Sequence, residues 1–233
     1  MKFVNEALRN KHKGDPVWVM GADPTVVTYP KDFLSDKLSI VIGSAQRIFQ
    51  NGTYNYNNES RTILPHAKLI PDYLAKAQLW AFPFYGKDED QSRALIERLQ
   101  PVEAWYLDYK PYPPRGHRPD ALTDVGRDAM IALVGAAHRG EAGPYGGFGT
   151  CLHCALYVAI IMGCDPINIV CCSHRVIGDH WKPPELGGRP MTPEQIAHSE
   201  KNWCRYAEGG TQAIMEGCRR EGIEVIRWQQ QPQ

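Results

Sequence analysis

The sequence predicts an α/β fold, a Rossmann-like and mostly parallel sheet with helices on both faces. Three observations predict it. Short apolar runs alternate along the chain with helical segments. The runs are continuous rather than alternating, as strands buried on both faces require. Several end in glycine or a polar turn, where an open α/β sheet exposes the carboxyl ends of its strands.

The elements follow in order. Residues 5–13 are polar and helix-prone and stop at Gly14. Pro16-Val-Trp-Val-Met20 is a buried strand bounded by turn residues, followed at once by Gly21-Ala-Asp-Pro-Thr25. Residues 38–43 are a second buried strand, ending in Gly43-Ser44. Residues 50–60, QNGTYNYNNES, are polar and Asn-rich and read as a loop. Residues 77–84 read as a strand whose Pro83 marks an edge or an end. Residues 92–99 form a short helix with Leu95, Ile96 and Leu99 on one face, and residues 102–108 a strand. A stiff proline-rich loop with Lys110, Arg115 and Arg118 then makes a surface rim.

Residues 121–138 are a helix for which Asp124 is the candidate cap. Residues 140–149 are a glycine-rich turn, and residues 150–162 a strongly apolar helix capped by Gly163. Residues 166–172 are a buried strand, and 178–193 a second proline- and glycine-rich loop. Thr192 caps a long helix with Pro193 in its first turn, running to about Glu221, and residues 223–228 are the last strand. The expectation is one domain over residues 1–233, with loop-rich excursions near 50–75 and 109–120.

Composition excludes several classes. The chain is 43% hydrophobic and 22% charged, an ordinary globular balance. Lys+Arg and Asp+Glu are both 26, so the chain lacks the basic excess of a dedicated nucleic-acid binder. No apolar run reaches the roughly 18 residues of a membrane span, and the amino-terminal stretch carries charges where a secretory signal is apolar. Seven cysteines, mostly in apolar stretches, read as reduced thiols of a cytoplasmic protein. Cys151 and Cys154 form a C-x-x-C on an apolar helix, where Cys serves as a small hydrophobe, and no metal ligand is assigned.

Three segments are candidates for chemistry. The Gly21 turn puts backbone N–H groups at the carboxyl end of the sheet, and a residue without Cβ lets a phosphate or ribose approach. Gly147, Gly149 and Thr150 open the apolar helix, a place where free N–H groups and a hydroxyl suit an anion. The strand that follows exits through Cys171-Cys172-Ser173-His174. His174 and, beyond it, Asp179-His180 are candidates for acid–base work, with Arg175 beside them for charge.

The order of these segments resembles the 6-hydroxymethylpterin diphosphokinase-like family and the related bacterial sialyltransferase-type glycosyltransferases. The residues carrying the resemblance are the lead Asn10-Lys-His-Lys-Gly14, then Gly21-Ala-Asp-Pro-Thr-Val26 at the family's G-x-G-P-S-L loop. Gly149-Thr150, Met162-Gly-Cys-Asp-Pro-Ile167 and the final Gly222-Ile-Glu-Val225 also match. Asp23 replaces the loop's second glycine, Gly43-Ser44 stands where the second strand usually ends at Asn, and Ser173 stands at the usual Asp. Residues 50–120 are unmatched.

The resemblance implies a Rossmann-like sheet and a nucleotide or nucleotide-sugar ligand, held near Gly21, Asp23, Pro24, Thr25, Gly43, Ser44, Gly147, Gly149, Thr150 and Arg175. The leading expectation is a glycosyltransferase-type transferase with a nucleotide-sugar co-substrate and a small-molecule or glycan acceptor. His174 or His180 then acts as base on the acceptor or acid toward the leaving phosphate. ATP-dependent diphosphate transfer to a small alcohol such as a pterin is the alternative, and it alone requires Mg2+ and carboxylates such as Asp23 and Asp179. A catalytically degenerate binding or assembly domain is the third. Oligomeric state is left open.

Overall fold

The structure is a computed structural model that describes residues 2–57, 77–80, 104–106, 122–141, 150–178, 180 and 182–228. Its strands are β1 (Lys2–Phe3), β2 (Val17–Met20), β3 (Ser39–Ile42), β4 (Tyr54–Asn57), β5 (Ala77–Trp80), β6 (Ala104–Tyr106), β7 (Ile167–Val170) and β8 (Val225–Trp228). They form one sheet in the order β1-β6-β5-β4-β3-β2-β7-β8. Every pairing is parallel. This is an α/β, Rossmann-like fold.

The order contains one reversal that matters. From β2 the chain steps outward through β3, β4, β5 and β6, then returns to place β7 on the opposite side of β2. The topological switch point therefore lies between β2 and β7, and in open α/β sheets ligands bind at the carboxyl ends of the strands there. Val19 pairs with Ile169 and Met20 with Val170, so both strands end at the same level.

Each sheet face has its own core. Val17, Val19, Ile40, Ile42, Tyr56, Ile167 and Ile169 pack with the helices α2 (Asp124–Arg139), α3 (Cys151–Ile161) and α5 (Arg205–Arg220). Met20, Val41 and Val170 point the other way, onto Val26, Leu34, Phe49 and Leu186. Among the described residues that second face is covered by 3₁₀ turns at Pro24–Thr28, Gly43–Arg47 and Pro184–Leu186 rather than by long helices. The alternate residues of β2 explain why it reads as unbroken apolar sequence: both of its faces are covered.

Helix α3 is the central crossover and lies against β2, β3 and β4. Thr150 caps it by accepting from the His153 amide at 3.1 Å. Every residue from Leu152 to Ile161 is buried. Burying Leu156, Val158 and Ile160 contributes roughly 1.5–3 kcal/mol each. Because α3 runs antiparallel to the strands, its N-terminus sits at their carboxyl ends, and Gly163 at φ 75° turns the chain toward β7. The short helix α1 is Val4–Ala7, with Val4 and Leu8 in the core.

Two sequence expectations are corrected. Residues 54–57, read within a polar loop, are strand β4 between β3 and β5, with Tyr54, Asn55, Tyr56 and Asn57 all buried. Contacts from elsewhere in the chain hold this strand in place: His12 Nε2 bonds the Tyr54 hydroxyl at 2.8 Å, and the Gln46 amide, from the turn after β3, donates to the Val41 and Tyr56 backbone carbonyls. Helix α2 is capped by Thr123, which accepts from the Gly126 amide, and Asp124 is its first residue. The expected helix at 92–99 and the cationic loop at 110–118 lie outside the described residues.

The long carboxy-terminal helix begins as expected. Helix α4 (Pro193–His198) has Thr192 as cap in a capping box with Gln195. It continues through a π-helical segment, Ser199–Cys204, before α5. A π segment shifts the helical phase, a device often found beside functional sites. Cys204 of this segment and Arg205, Glu208 and Gln212 of α5 line the cavity described below.

Candidate functional site

The exits of β2 and β7 are knitted together. The Gly21 amide donates to the Val170 carbonyl at 2.8 Å, and the Asp23 amide to the Cys171 carbonyl at 3.2 Å. A Cβ on Gly21 would lie 2.3 Å from both the Cys171 carbonyl oxygen and Cys172 Sγ. Gly21 is thus required by the passage of β7's exit, and the space beside it is filled by protein.

Asp23 caps the following turn. Its Oδ1 accepts from the Thr25 amide at 2.9 Å and from the Thr25 hydroxyl, while Oδ2 accepts from the Ser173 amide at 2.9 Å. Asp23 and Ser173, two of the positions at which the sequence departs from the pattern it resembles, meet in space. The carboxylate is occupied by three donors from its own chain, and Pro24 sits at the start of the same 3₁₀ turn.

Beside this junction, toward β8, opens a cavity of about 570 Å3. Leu122 and Arg127 come from the start of α2, Ser173, His174 and Arg175 from the exit of β7, and Cys204, Arg205, Glu208, Gly209 and Gln212 from the π segment and α5. Arg205, Glu208 and Gln212 stand at i, i+3 and i+7, one face of a helix. Gln212 donates to Glu208 Oε1 at 3.1 Å.

The charge balance of the cavity is lopsided. Arg227 of β8 grips Glu208 with two bonds of 2.6 and 2.8 Å, so that carboxylate is neutralised in place. The Glu208 carboxyl lies below its usual range: burial pushes it up, but the Arg227 hydrogen bond and charge prevail. Arg227 also donates to the carbonyls of Cys172 at 2.9 Å and Ser173 at 3.3 Å, tying the β7 exit to the last strand. Among the described residues no ion pair reaches Arg127, Arg175 or Arg205. Three guanidinium groups, charged at all working pH, therefore line the cavity with no ion-pair partner among the described residues.

His174 closes the inner wall. Its backbone adopts φ 53°, uncommon for a residue with a side chain. Its Nε2 lies 2.9 Å from the Thr211 hydroxyl of α5. Burial, then the neighbouring His153 and Arg227, push its pKa down to about 4, with Glu208 opposing. The ring is neutral at physiological pH. Behind it lies His153, fully buried, with Nε2 2.9 Å from the Ala207 carbonyl and 3.2 Å from the Thr211 hydroxyl. Gly210 makes room for it, since a Cβ there would sit 2.3 Å from His153 Cε1.

The expected site residues are distributed as follows. His174, Arg175 and Ser173 line the cavity, with Asp23 and Thr25 bonded to the same strand exit. Thr150 caps the helix whose His153 faces His174 at a ring separation of 6.2 Å. His180 is placed elsewhere: it pairs with Ile177 and Pro190 in bridges of the following loop and does not line the cavity. Gly43 and Ser44 open the 3₁₀ turn after β3, also away from the cavity lining. Asp179, Gly147 and Gly149 lie outside the described residues. The sequence reading missed Arg127, Arg205, Gln212, Thr211 and His153. The helical spacing of Arg205, Glu208 and Gln212 is the signal that could have found part of the set.

Comparison with models of known protein families, with curated proteins and with solved structures finds no match to this chain. Among the described residues, no group of three or more His, Cys, Asp or Glu side chains is arranged to hold a metal ion, and none of the seven cysteines is in a disulfide. No helix among them is long and apolar enough to cross a membrane.

Proposed function

We propose that the cavity beside the switch point binds the phosphate or diphosphate of a nucleotide-sugar, and that the protein transfers the sugar to an acceptor hydroxyl. The observation carrying this reading is the convergence of Arg127, Arg175 and Arg205, free of counter-charge among the described residues, around Ser173 and His174 at the end of β7. Guanidinium groups recognise phosphate oxygens through paired, charge-assisted hydrogen bonds. The volume falls in the range of small-molecule sites.

In this mechanism the acceptor hydroxyl attacks the sugar's anomeric carbon as the bond to the leaving phosphate breaks, and the arginines offset the charge that grows on that phosphate. The Ser173 hydroxyl and Gln212 amide supply neutral hydrogen bonds. The acceptor's proton passes to His174 if it acts as base, and to the departing phosphate if His174 instead donates to the leaving oxygen. Transfer from ATP to a small alcohol is less well supported. It calls for carboxylates that hold Mg2+ beside the phosphates, and the described candidates, Asp23 and Glu208, are already occupied by Ser173 and Thr25 and by Arg227. Seven cysteines without a disulfide accord with a reducing, cytoplasmic site of action.

The test is a thermal-shift panel of CMP, UDP, GDP and ATP with their sugar conjugates, with and without Mg2+. A ligand at a hundred times its Kd stabilises by about 2.7 kcal/mol. A metal-independent shift with one pyrimidine or guanine nucleotide, followed by turnover of its sugar conjugate, supports the reading. A shift with ATP that needs Mg2+ moves the assignment to diphosphate transfer, and binding without turnover moves it to a degenerate binding domain.

A further inference from the structure

His174 can meet a ligand in two ways, as a lone-pair acceptor or as an N–H donor, and the hydrogen bonds behind it decide which. His153 Nε2 lies against two oxygens, the Ala207 carbonyl at 2.9 Å and the Thr211 hydroxyl at 3.2 Å. A carbonyl only accepts, so His153 Nε2 carries its proton and donates to Ala207.

The Ala207 carbonyl also takes the Thr211 amide, the ordinary i→i−4 bond of α5. Its two lone pairs are then filled. The Thr211 hydroxyl, 3.0 Å from that carbonyl and 2.9 Å from His174 Nε2, has one proton to place. Donated to Ala207 it would be a third donor on a filled acceptor. Donated to His174 Nε2 it satisfies a nitrogen that has no other partner. In that arrangement the remaining proton of the neutral ring is on Nδ1.

We propose that His174 presents an Nδ1–H to the ligand as a neutral hydrogen-bond donor, with Thr211 and His153 as the residues that fix this tautomer. The arrangement is built in. Thr211 and His153 are both fully buried, Gly210 is required by the His153 ring, and His174 is held in a left-handed backbone conformation. A neutral donor suits a cavity that already holds three guanidinium groups. It adds a directed bond to an anionic oxygen without adding charge that would repel Arg175 and Arg205. The groups facing His174 are His153 from α3, Thr211 and the Arg227-bound Glu208 from α5, and Arg227 from β8. The choice between base and donor, open in the mechanism above, falls to donor. The ligand half of this proposal rests on the reading of the cavity as an anion site; the tautomer half does not.

The experiment is long-range 1H–15N NMR of the histidine rings in the full chain without ligand at pH 7, with His174 assigned from the H174Q spectrum. Inorganic pyrophosphate is then titrated. Wild type is expected to show a protonated Nδ1 and a bare Nε2 at His174. T211S keeps that pattern, and T211V shifts it toward Nε2–H with about fivefold weaker pyrophosphate binding. Melting curves confirm that each variant is folded, and T211A, which also lacks the hydroxyl and carries the same expectation as T211V, serves if T211V is not. A wild-type Nε2–H ring, or an Nδ1–H pattern unchanged in folded T211V, overturns the proposal. If the tautomer is as stated but pyrophosphate does not bind wild type, the ligand half and the anion reading of the cavity both fall.

Discussion

Replacing Arg227 with Met removes the one cation that holds both Glu208 and the exit of β7. Four hydrogen bonds go at once: two to the Glu208 carboxylate and one each to the Cys172 and Ser173 carbonyls. The side chains are 15% exposed for Arg227 and 33% for Glu208. Breaking a fully buried pair from one side costs about 3–5 kcal/mol. Glu208 is partly solvated once released, so the expected loss is lower, about 2–3 kcal/mol. For a chain of this length that corresponds to a fall in Tm of roughly 5–10 °C. E208Q leaves Arg227 its carbonyl partners and is expected to cost about 1 kcal/mol. The double variant R227M/E208Q should be more stable than the sum of the two losses requires, by about 1 kcal/mol or more, because the released carboxylate is no longer there. Urea denaturation of the four proteins at one pH reads all three quantities. An R227M loss under about 0.5 kcal/mol, or strict additivity, refutes the claim that this pair anchors the cavity wall.

Three further outcomes follow from the same geometry. His174 has a folded pKa of about 4 against an ordinary value of 6.5, so the unfolded chain binds its proton first as pH falls. Its contribution is present above about pH 6.5 and lost progressively down to about pH 4, roughly 3 kcal/mol in all. Between pH 7.5 and 4.5 wild type should lose about 2.5 kcal/mol relative to H174Q, most of that total, and parallel curves would contradict it. G21A forces a Cβ against the Cys171 carbonyl and Cys172 Sγ, and should destabilise by about 2–3 kcal/mol or fail to fold, as read by circular dichroism; a near-wild-type Tm would sink the packing argument. Pyrophosphate binding should weaken as ionic strength rises, since Arg175 is exposed; affinity independent of salt would rule out an arginine-dominated site.

The sheet was largely legible because buried parallel strands announce themselves as unbroken apolar runs: Val17–Met20, Ser39–Ile42 and Ile167–Val170 all sit within the expected segments. Strand β4 was not, because Asn55 and Asn57 look like loop residues, and the pairing with β3 together with the bonds of His12 to Tyr54 and of Gln46 to the Tyr56 carbonyl comes from outside the segment. The Thr192 cap was legible from local chemistry, whereas the cap of α2 fell one residue from the expected Asp124, on Thr123. Of the site, the exit of β7 could be read, since a polar turn after an apolar strand marks the carboxyl edge. The arginines could not be joined: Arg127, Arg175 and Arg205 lie on three separate elements, and only the fold makes them neighbours. Gly21 was singled out for a ligand's approach, and it is β7's exit that approaches.

The most direct test of the central claim compares wild type with the double variant R127Q/R205Q for binding of pyrophosphate and nucleoside diphosphates by titration calorimetry at low salt. Each lost charge-assisted bond is worth about 1.5–3 kcal/mol. The account expects measurable binding to wild type and a loss of at least about a hundredfold in a variant that keeps its Tm. No binding to wild type, or undiminished binding to the folded variant, would contradict it.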